Sequence, residues 1–181
     1  MGQRIQNVHP KTFNGVTYRS TLEAQTAEAL FQLGIPFEYE SLKLTLLDHF
    51  RSPFSKTMVR AVTYTPDFKI GDIIIECKGF ETPEWKLKKK FVLKYIDANM
   101  PDVYYYQTRN AGTDLLRVLD KHWDDIGYCI LVDSQKKYSS VFEAMKDLGL
   151  GHKSHSSIFS CLKKMKDKAY NHTWEIIKKD E

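Results

Sequence analysis

"YTPDFKIGDIIIECKG", residues 64–79, sets the problem this chain poses. Three successive isoleucines, Ile73 to Ile75, describe a strand buried on both faces. Yet Glu76 and Lys78 continue the same run, and Asp67 precedes them by a few residues. Ile70-Gly71-Asp72 reads as a tight turn, so residues 64–69 and 73–78 form a β-hairpin. Side chains two apart on a strand share a face, roughly 7 Å apart. Glu76 and Lys78 therefore project together, Cys77 points away, and Asp67 lies across the hairpin beside Glu76.

An isolated Glu–Lys pair on a solvated sheet is common and weak, and that is the plain alternative. Inside a buried strand, charges are costly unless paired or bound to a metal. Two neighbouring carboxylates repel, and a divalent cation relieves the repulsion. Carboxylate oxygens with waters suit Mg²⁺, with Mn²⁺ expected to substitute. A lysine beside them can hold or activate an attacking water, or stabilise charge developing on a phosphate. Such a set of groups would hydrolyse a phosphodiester.

Size and composition set the bounds. A chain of 181 residues holds one full domain and a small appendage. With 42% apolar and 28% charged residues it is an ordinary soluble globule. No stretch approaches a membrane span, and "MGQRIQNVHP" lacks the apolar core of a signal peptide, which predicts an intracellular protein. Cys77, Cys129 and Cys161 are widely spaced without a C-x-x-C, which predicts reduced thiols. The net charge of +4 lies wholly beyond residue 133, where ten lysines face six acids. A basic tail behind a neutral body suggests an attached nucleic-acid module.

Residues 1–18 read as irregular. "YRSTLEAQTAEALFQLGI" reads as a helix, with Leu22, Thr26, Ala29, Leu30 and Leu33 at helical spacing, a Ser20/Glu23 capping box and Gly34 at its end. "FEYESLKLTLL" alternates as a strand, and 48–60 is a polar, basic loop. "PEWKLKKKFVLKYIDA" is a helix with Trp85, Phe91, Tyr95 and Ile96 inward and a lysine face that includes Lys89 and Lys90. "DVYYYQT" is a strand and "DLLRVLDKHWDDI" a further helix. The alternation predicts an α/β fold, a mixed sheet flanked by helices. "VDSQKK" reads as a junction between a core, 1–133, and a module, 134–181. In the module, helices near 140–148 and 154–164 joined by "GLGH" have helix-turn-helix spacing. The second helix has Ile158, Cys161, Leu162 and Met165 as its apolar stripe. Ser156, Ser157, Ser160, Lys163 and Lys164 lie off that stripe, as residues for phosphate and base-edge contact.

"YTPDF…IIIECKG" resembles the PD-(D/E)XK nuclease signature at Pro66-Asp67 and Glu76-Cys77-Lys78. "YRSTLEAQTAEALFQLGIPFEYE" is similar to the first helix and strand of phage endonuclease I, the Holliday-junction-resolving nucleases. The likeness covers roughly residues 16–100. It implies a restriction-endonuclease-like fold and an intertwined homodimer. It places the family's helix acid at Glu23, as a third metal-site acid, and a possible additional acid at Glu38. The tail, 137–176, resembles the nuclease-associated modular DNA-binding domain of phage homing endonucleases, through "YSSVFEAMKDLGL", "SSIFSCLK" and a late tryptophan.

Together these imply a sequence-specific, Mg²⁺-dependent endonuclease of double-stranded DNA, a free-standing homing enzyme of phage type. Its place would be the cytoplasm of a phage-infected bacterial cell. Asp67 and Glu76 would bind metal, Lys78 would act on water, and Glu23 would complete the site. One alternative is a structure-specific resolvase of branched DNA; another is a non-catalytic DNA-binding protein with a degenerate nuclease core. On this division a chain ending at Asp133 would still hydrolyse DNA but lose specificity.

Overall fold

The computed structural model describes residues 9–151, 153 and 155–180, which form a mixed α/β structure of several sheets and five helices. The chain divides into two compact units. Phe37–Gln107 form one; the flanking segments, up to Pro36 and from Thr108 on, form the other.

The central unit is organised by a sheet of β3 (Glu38–Tyr39), β8 (Phe68–Ile70), β9 (Ile73–Cys77) and β10 (Tyr104–Thr108), in the order β10-β9-β8-β3. Strands β8 and β9 form the expected hairpin. Ile70 pairs with Ile73 around Gly71, whose φ of 54° is the left-handed value that favours glycine in so short a turn. All five residues of β9 are buried, as a run of isoleucines in an interior strand requires. Ile74 packs under α2 (Pro83–Asn99), joining Trp85, Val92 and Ile96 of the helix with Leu44 and Tyr64. Thr82 caps α2 by accepting from the Trp85 N–H, and Pro83 occupies its first turn. Val92 takes the inward place expected of Phe91, which is 51% exposed. Between β3 and β8 the chain runs out and back as a hairpin arm. Its root is β4 (Leu44–Leu47) paired with β7 (Val62–Tyr64), and its outer half is β5 (Phe50–Arg51) paired with β6 (Met58–Val59). The stretch expected as a loop, 48–60, thus carries a short two-stranded ribbon, β5 with β6, closed by a turn.

The second unit begins with β1 (Lys11–Phe13) and β2 (Val16–Tyr18), where irregular chain was expected. They turn on Asn14-Gly15, both at positive φ, the residue pair that favours a two-residue hairpin. Then α1 (Thr21–Gln32) is capped by Ser20 and closed by Gly34, with the Ile35 N–H returning to the Leu30 carbonyl. The later part comprises α3 (Thr113–Leu119), β11 (Tyr128–Val132), β12 (Lys136–Tyr138), α4 (Val141–Asp147), α5 (His155–Leu162) and β13 (Trp174–Lys178).

Strand β11 is the middle of a three-stranded sheet, with β12 and β13 antiparallel on either side. The expected junction at 133–134 is the turn between β11 and β12, with Asp133 and Ser134 at φ 51° and 53°. Asp133 also accepts from the Thr173 N–H at 2.9 Å and bonds His172 at 2.6 Å, fastening the start of β13. Asp120, just after α3, accepts from the indole of Trp123 and from the N–H groups of Val141 and Phe142 that open α4. Helices α4 and α5 fall where two tail helices were expected, set between β12 and β13. On α5 the buried stripe is Ile158, Phe159, Cys161 and Leu162, while Met165 lies beyond the helix and is 65% exposed. The three cysteines are free and buried.

Candidate active site

The β8–β9 pairing ends at Phe68 opposite Ile75. Asp67 immediately precedes β8 and Glu76 immediately follows Ile75, so extending the alternation by one residue sets both acids on one face. Ile74 and Lys78 share that face by alternation, which is the face α2 covers. Both carboxylates are buried, Asp67 at 9% and Glu76 at 5% exposure.

Each acid is held by the protein. One oxygen of Asp67, Oδ2, accepts from the Cys77 N–H at 2.7 Å. Oε2 of Glu76 accepts from the Tyr64 hydroxyl at 2.7 Å, and its Oε1 lies 3.9 Å from the Lys78 ammonium. That ammonium also sits 4.8 Å from the centre of the Trp85 ring, a cation–π position. Trp85 is fixed in turn by its indole N–H, which donates to Gln107 Oε1 at 3.1 Å. The chain thus presents two carboxylates and one aimed cation in a partly dry corner.

Two tyrosines frame it. Burial raises the Tyr64 hydroxyl far above the ordinary tyrosine range, and the Glu76 charge adds to that. That hydroxyl donates to Glu76. Burial likewise raises Tyr105; Tyr64 opposes the rise, and the charges of Glu76, Asp67 and Glu81 add to it. Lys88 lies 5.7 Å from the Tyr64 ring centre. Tyr64, Trp85, Tyr105 and Gln107 were not singled out from sequence as site residues. Their signal there was faint: aromatic positions on a strand or helix look the same whether they fill a core or wall a site.

The other candidates fall as follows. Glu38 is exposed and its carboxylate lies 3.5 Å from Lys69, on the outermost strand pair. Its acidity is raised first by Ser41, then by the Lys69 charge. Glu40, two residues on, lies nearer to Asp67: its N–H donates to the Asp67 carbonyl at 3.0 Å, and its φ is 48°. Glu23, in the other unit, is buried and completes a capping box. It accepts from the Ser20 hydroxyl at 2.7 Å and from the Arg19 N–H at 3.0 Å. Lys89 pairs with Glu81 at 3.1 Å, and Lys90 is exposed. On α5, Ser156 is exposed, Ser157 is half-buried, and the Ser160 hydroxyl donates back to the Ser156 carbonyl. Lys163 and Lys164 follow the helix, half-buried and exposed.

Among the described residues no group of three or more His, Cys, Asp and Glu side chains is arranged to hold a metal ion. Asp67 and Glu76 still fit Mg²⁺ by donor type, since that ion commonly takes one or two protein carboxylates and keeps waters for its other positions. No helix among the described residues is long and apolar enough to cross a membrane. Comparison with protein-family models, with curated proteins and with solved structures finds no match.

Proposed function

We propose that this chain is a Mg²⁺-dependent endodeoxyribonuclease whose site is Asp67, Glu76 and Lys78, with a separate DNA-reading surface in its last fifty residues. One observation carries the reading. Two buried acids, Asp67 at the foot of β8 and Glu76 within β9, lie at the end of an otherwise apolar hairpin, with a lysine ammonium between one of them and an indole ring. A fold has no structural need for that arrangement, since a hydrophobic pair there would be as stable or more so.

Asp67 and Glu76 would hold the ion, which supplies charge neutralisation at the scissile phosphate when bound. Lys78 would orient the attacking water, or steady the charge on the phosphate. Tyr64 keeps Glu76 in one rotamer, and the Trp85 ring keeps Lys78 over the acids. Sequence recognition by Ser156, Ser157, Ser160, Lys163 and Lys164, backbone contacts by Lys89 and Lys90, and a homodimer complete the proposal. One such site per chain cuts one strand, so a double-strand cut is met most simply by two copies. The test is incubation of mixed duplex DNA with the protein and Mg²⁺, followed by sequencing of new ends. Cuts at one recurrent sequence are expected, and none in excess chelator. Ends clustered at branches would turn the reading toward a resolvase, and intact DNA would refute it.

Two substitutions probe the supports. Tyr64→Phe keeps the ring and removes the donor to Glu76. Partners of metal-holding side chains typically contribute about 10–100-fold to metal affinity or activity. Half-maximal cleavage is expected to need roughly tenfold more Mg²⁺; an unchanged metal titration would make Tyr64 a packing residue only. Glu23→Gln separates capping from chemistry. Glutamine has one acceptor oxygen for the two donors that Glu23 satisfies, so Tm is expected to fall by about 2–4 °C. A cap alone leaves the cleavage rate of the folded protein unchanged, whereas a carboxylate that the chemistry needs would lower it by about 10–100-fold. A rate equal to wild type would leave Glu23 as a cap.

A further inference from the structure

We propose that the hairpin arm, residues 44–64, is a duplex-DNA clamp: its ribbon lies along a groove and Phe54 at its tip wedges into a base step. This rests on the DNA-cutting reading only for why the clamp is there.

The arm is anchored at one end and bare at the other. Leu44 and Tyr64 are buried at its root, where Tyr64 also bonds Glu76. Beyond them, every residue from 47 to 62 is exposed except Ser52 and Val59. A two-stranded ribbon so solvated needs a partner to justify its order, since an isolated hairpin is marginal in water. Its tip is nonetheless built. The Ser52 N–H donates to the Thr57 carbonyl at 2.9 Å, and Arg51 Nε donates to the Lys56 carbonyl at 3.2 Å. That turn holds Phe54 out at 96% exposure, the largest value among the described large apolar side chains.

Charge selects the partner. The arm carries Arg51, Lys56 and Arg60 against a single acid, Asp48. Arm-on-arm pairing of two copies would bring those cations together, whereas a polyanion neutralises them. The dimensions agree: the major groove of B-DNA, about 12 Å wide, admits a two-stranded ribbon. Ten residues at about 3.3 Å each separate Tyr64 from Phe54, a reach of up to about 33 Å, close to one turn of duplex. In a duplex the base faces are already covered, so Phe54 would enter as an apolar wedge that partly unstacks one base step, a grip set by how easily the step opens and not by base-edge hydrogen bonds. A duplex held this way would pass the root of the arm, where Tyr64 meets Glu76.

The test measures binding of a labelled 20-base-pair duplex by fluorescence anisotropy in chelator, so that no cutting intervenes. The full chain is compared with Phe54→Ala and with Arg51→Ala/Lys56→Ala/Arg60→Ala, and sedimentation is run on each. All four side chains are exposed, and equal Tm values check the fold. Phe54→Ala is expected to weaken binding about tenfold. The triple variant is expected to weaken it at least as much near 0.1 M salt, and to flatten the log–log salt slope by about 2–3. In Phe54→Trp the introduced indole is expected to change emission on adding duplex, against the buried Trp85, Trp123 and Trp174. Wild-type affinity and slope in these variants overturn the clamp. So does a dimer that the substitutions dissociate without loss of DNA affinity per chain, which would assign the arm to a second copy. If the wild type binds through the arm yet never cuts in Mg²⁺, the nuclease reading fails alone. If it cuts while the arm variants bind as wild type, the clamp fails alone.

Discussion

Glu76→Gln is expected to lower Mg²⁺-dependent cleavage of duplex DNA about a thousandfold, a loss of about 4 kcal/mol of transition-state stabilisation. Glutamine is the informative replacement because of what Glu76 touches. Its volume and one acceptor oxygen are kept, so the buried Tyr64 hydroxyl retains a partner. Alanine would strand that hydroxyl at a cost of about 1–3 kcal/mol and confuse folding with chemistry. What glutamine removes is the charge that a cation and Lys78 require. The same logic makes Asp67→Asn the proper partner test, since an amide oxygen still accepts from the Cys77 N–H. Lys78 is about one-third exposed on its side chain, so Lys78→Ala should remove its charge with little effect on stability. Cleavage rates, melting temperatures and DNA affinity measured together decide the matter. If Glu76→Gln turns over within about tenfold of wild type at equal affinity, the acid is structural and the site lies elsewhere.

How far the sequence spoke depended on whether the signal was local. The β8–β9 hairpin was legible because Gly71-Asp72 marks its turn and the isoleucine run marks its burial. The Ser20/Glu23 capping box was legible for the same reason, since it acts within one turn of itself; Thr82, an equally local cap of α2, was passed over. Asn14-Gly15 carried an equally local hairpin signal, which the reading of 1–18 as irregular passed over. What stayed hidden were partnerships across many residues. Nothing near Asp120 indicates that it caps a helix starting twenty-one residues later. The arm was hidden for another reason. Without a buried face, β5 and β6 have no apolar alternation to reveal them, and they read as loop. In the site, Asp67, Glu76 and Lys78 stood out as charges in an apolar run. Tyr64 and Trp85 did not, because an aromatic side chain is at home in any core. Glu38 was chosen over Glu40 by resemblance, and alternation alone puts both on one face.

A chain ending at Asp133 is expected to lose the cooperative folding of the unit built from the flanking segments, against the division of labour first read from the sequence. The reason is the sheet that crosses the boundary. Strand β11 ends at Val132, and truncation removes both strands that flank it. Tyr128, Cys129, Ile130 and Val132, all buried in the intact chain, would then meet water. So would the inward side of α3, which packs with α5. Fully burying a side chain of this size is typically worth about 1.5–3 kcal/mol. Losing several such burials consumes a stability that is about 5–15 kcal/mol for an ordinary domain. Asp120 would lose its two N–H donors from α4, and Asp133 its bonds to His172 and Thr173. Chemical denaturation followed by circular dichroism and the emission of Trp123 should show no cooperative transition of the flanking-segment unit in the truncated chain, whatever transition the Phe37–Gln107 unit keeps. The tail's role in recognition must therefore be read in the intact protein. Ser157→Ala/Ser160→Ala/Lys163→Ala/Lys164→Ala should scatter the cuts and reduce the salt slope by about 1–2, with the rate on nonspecific DNA kept. A truncated chain in which Trp123 still reports a cooperative transition and which still cuts DNA would show that residues 1–133 stand alone after all.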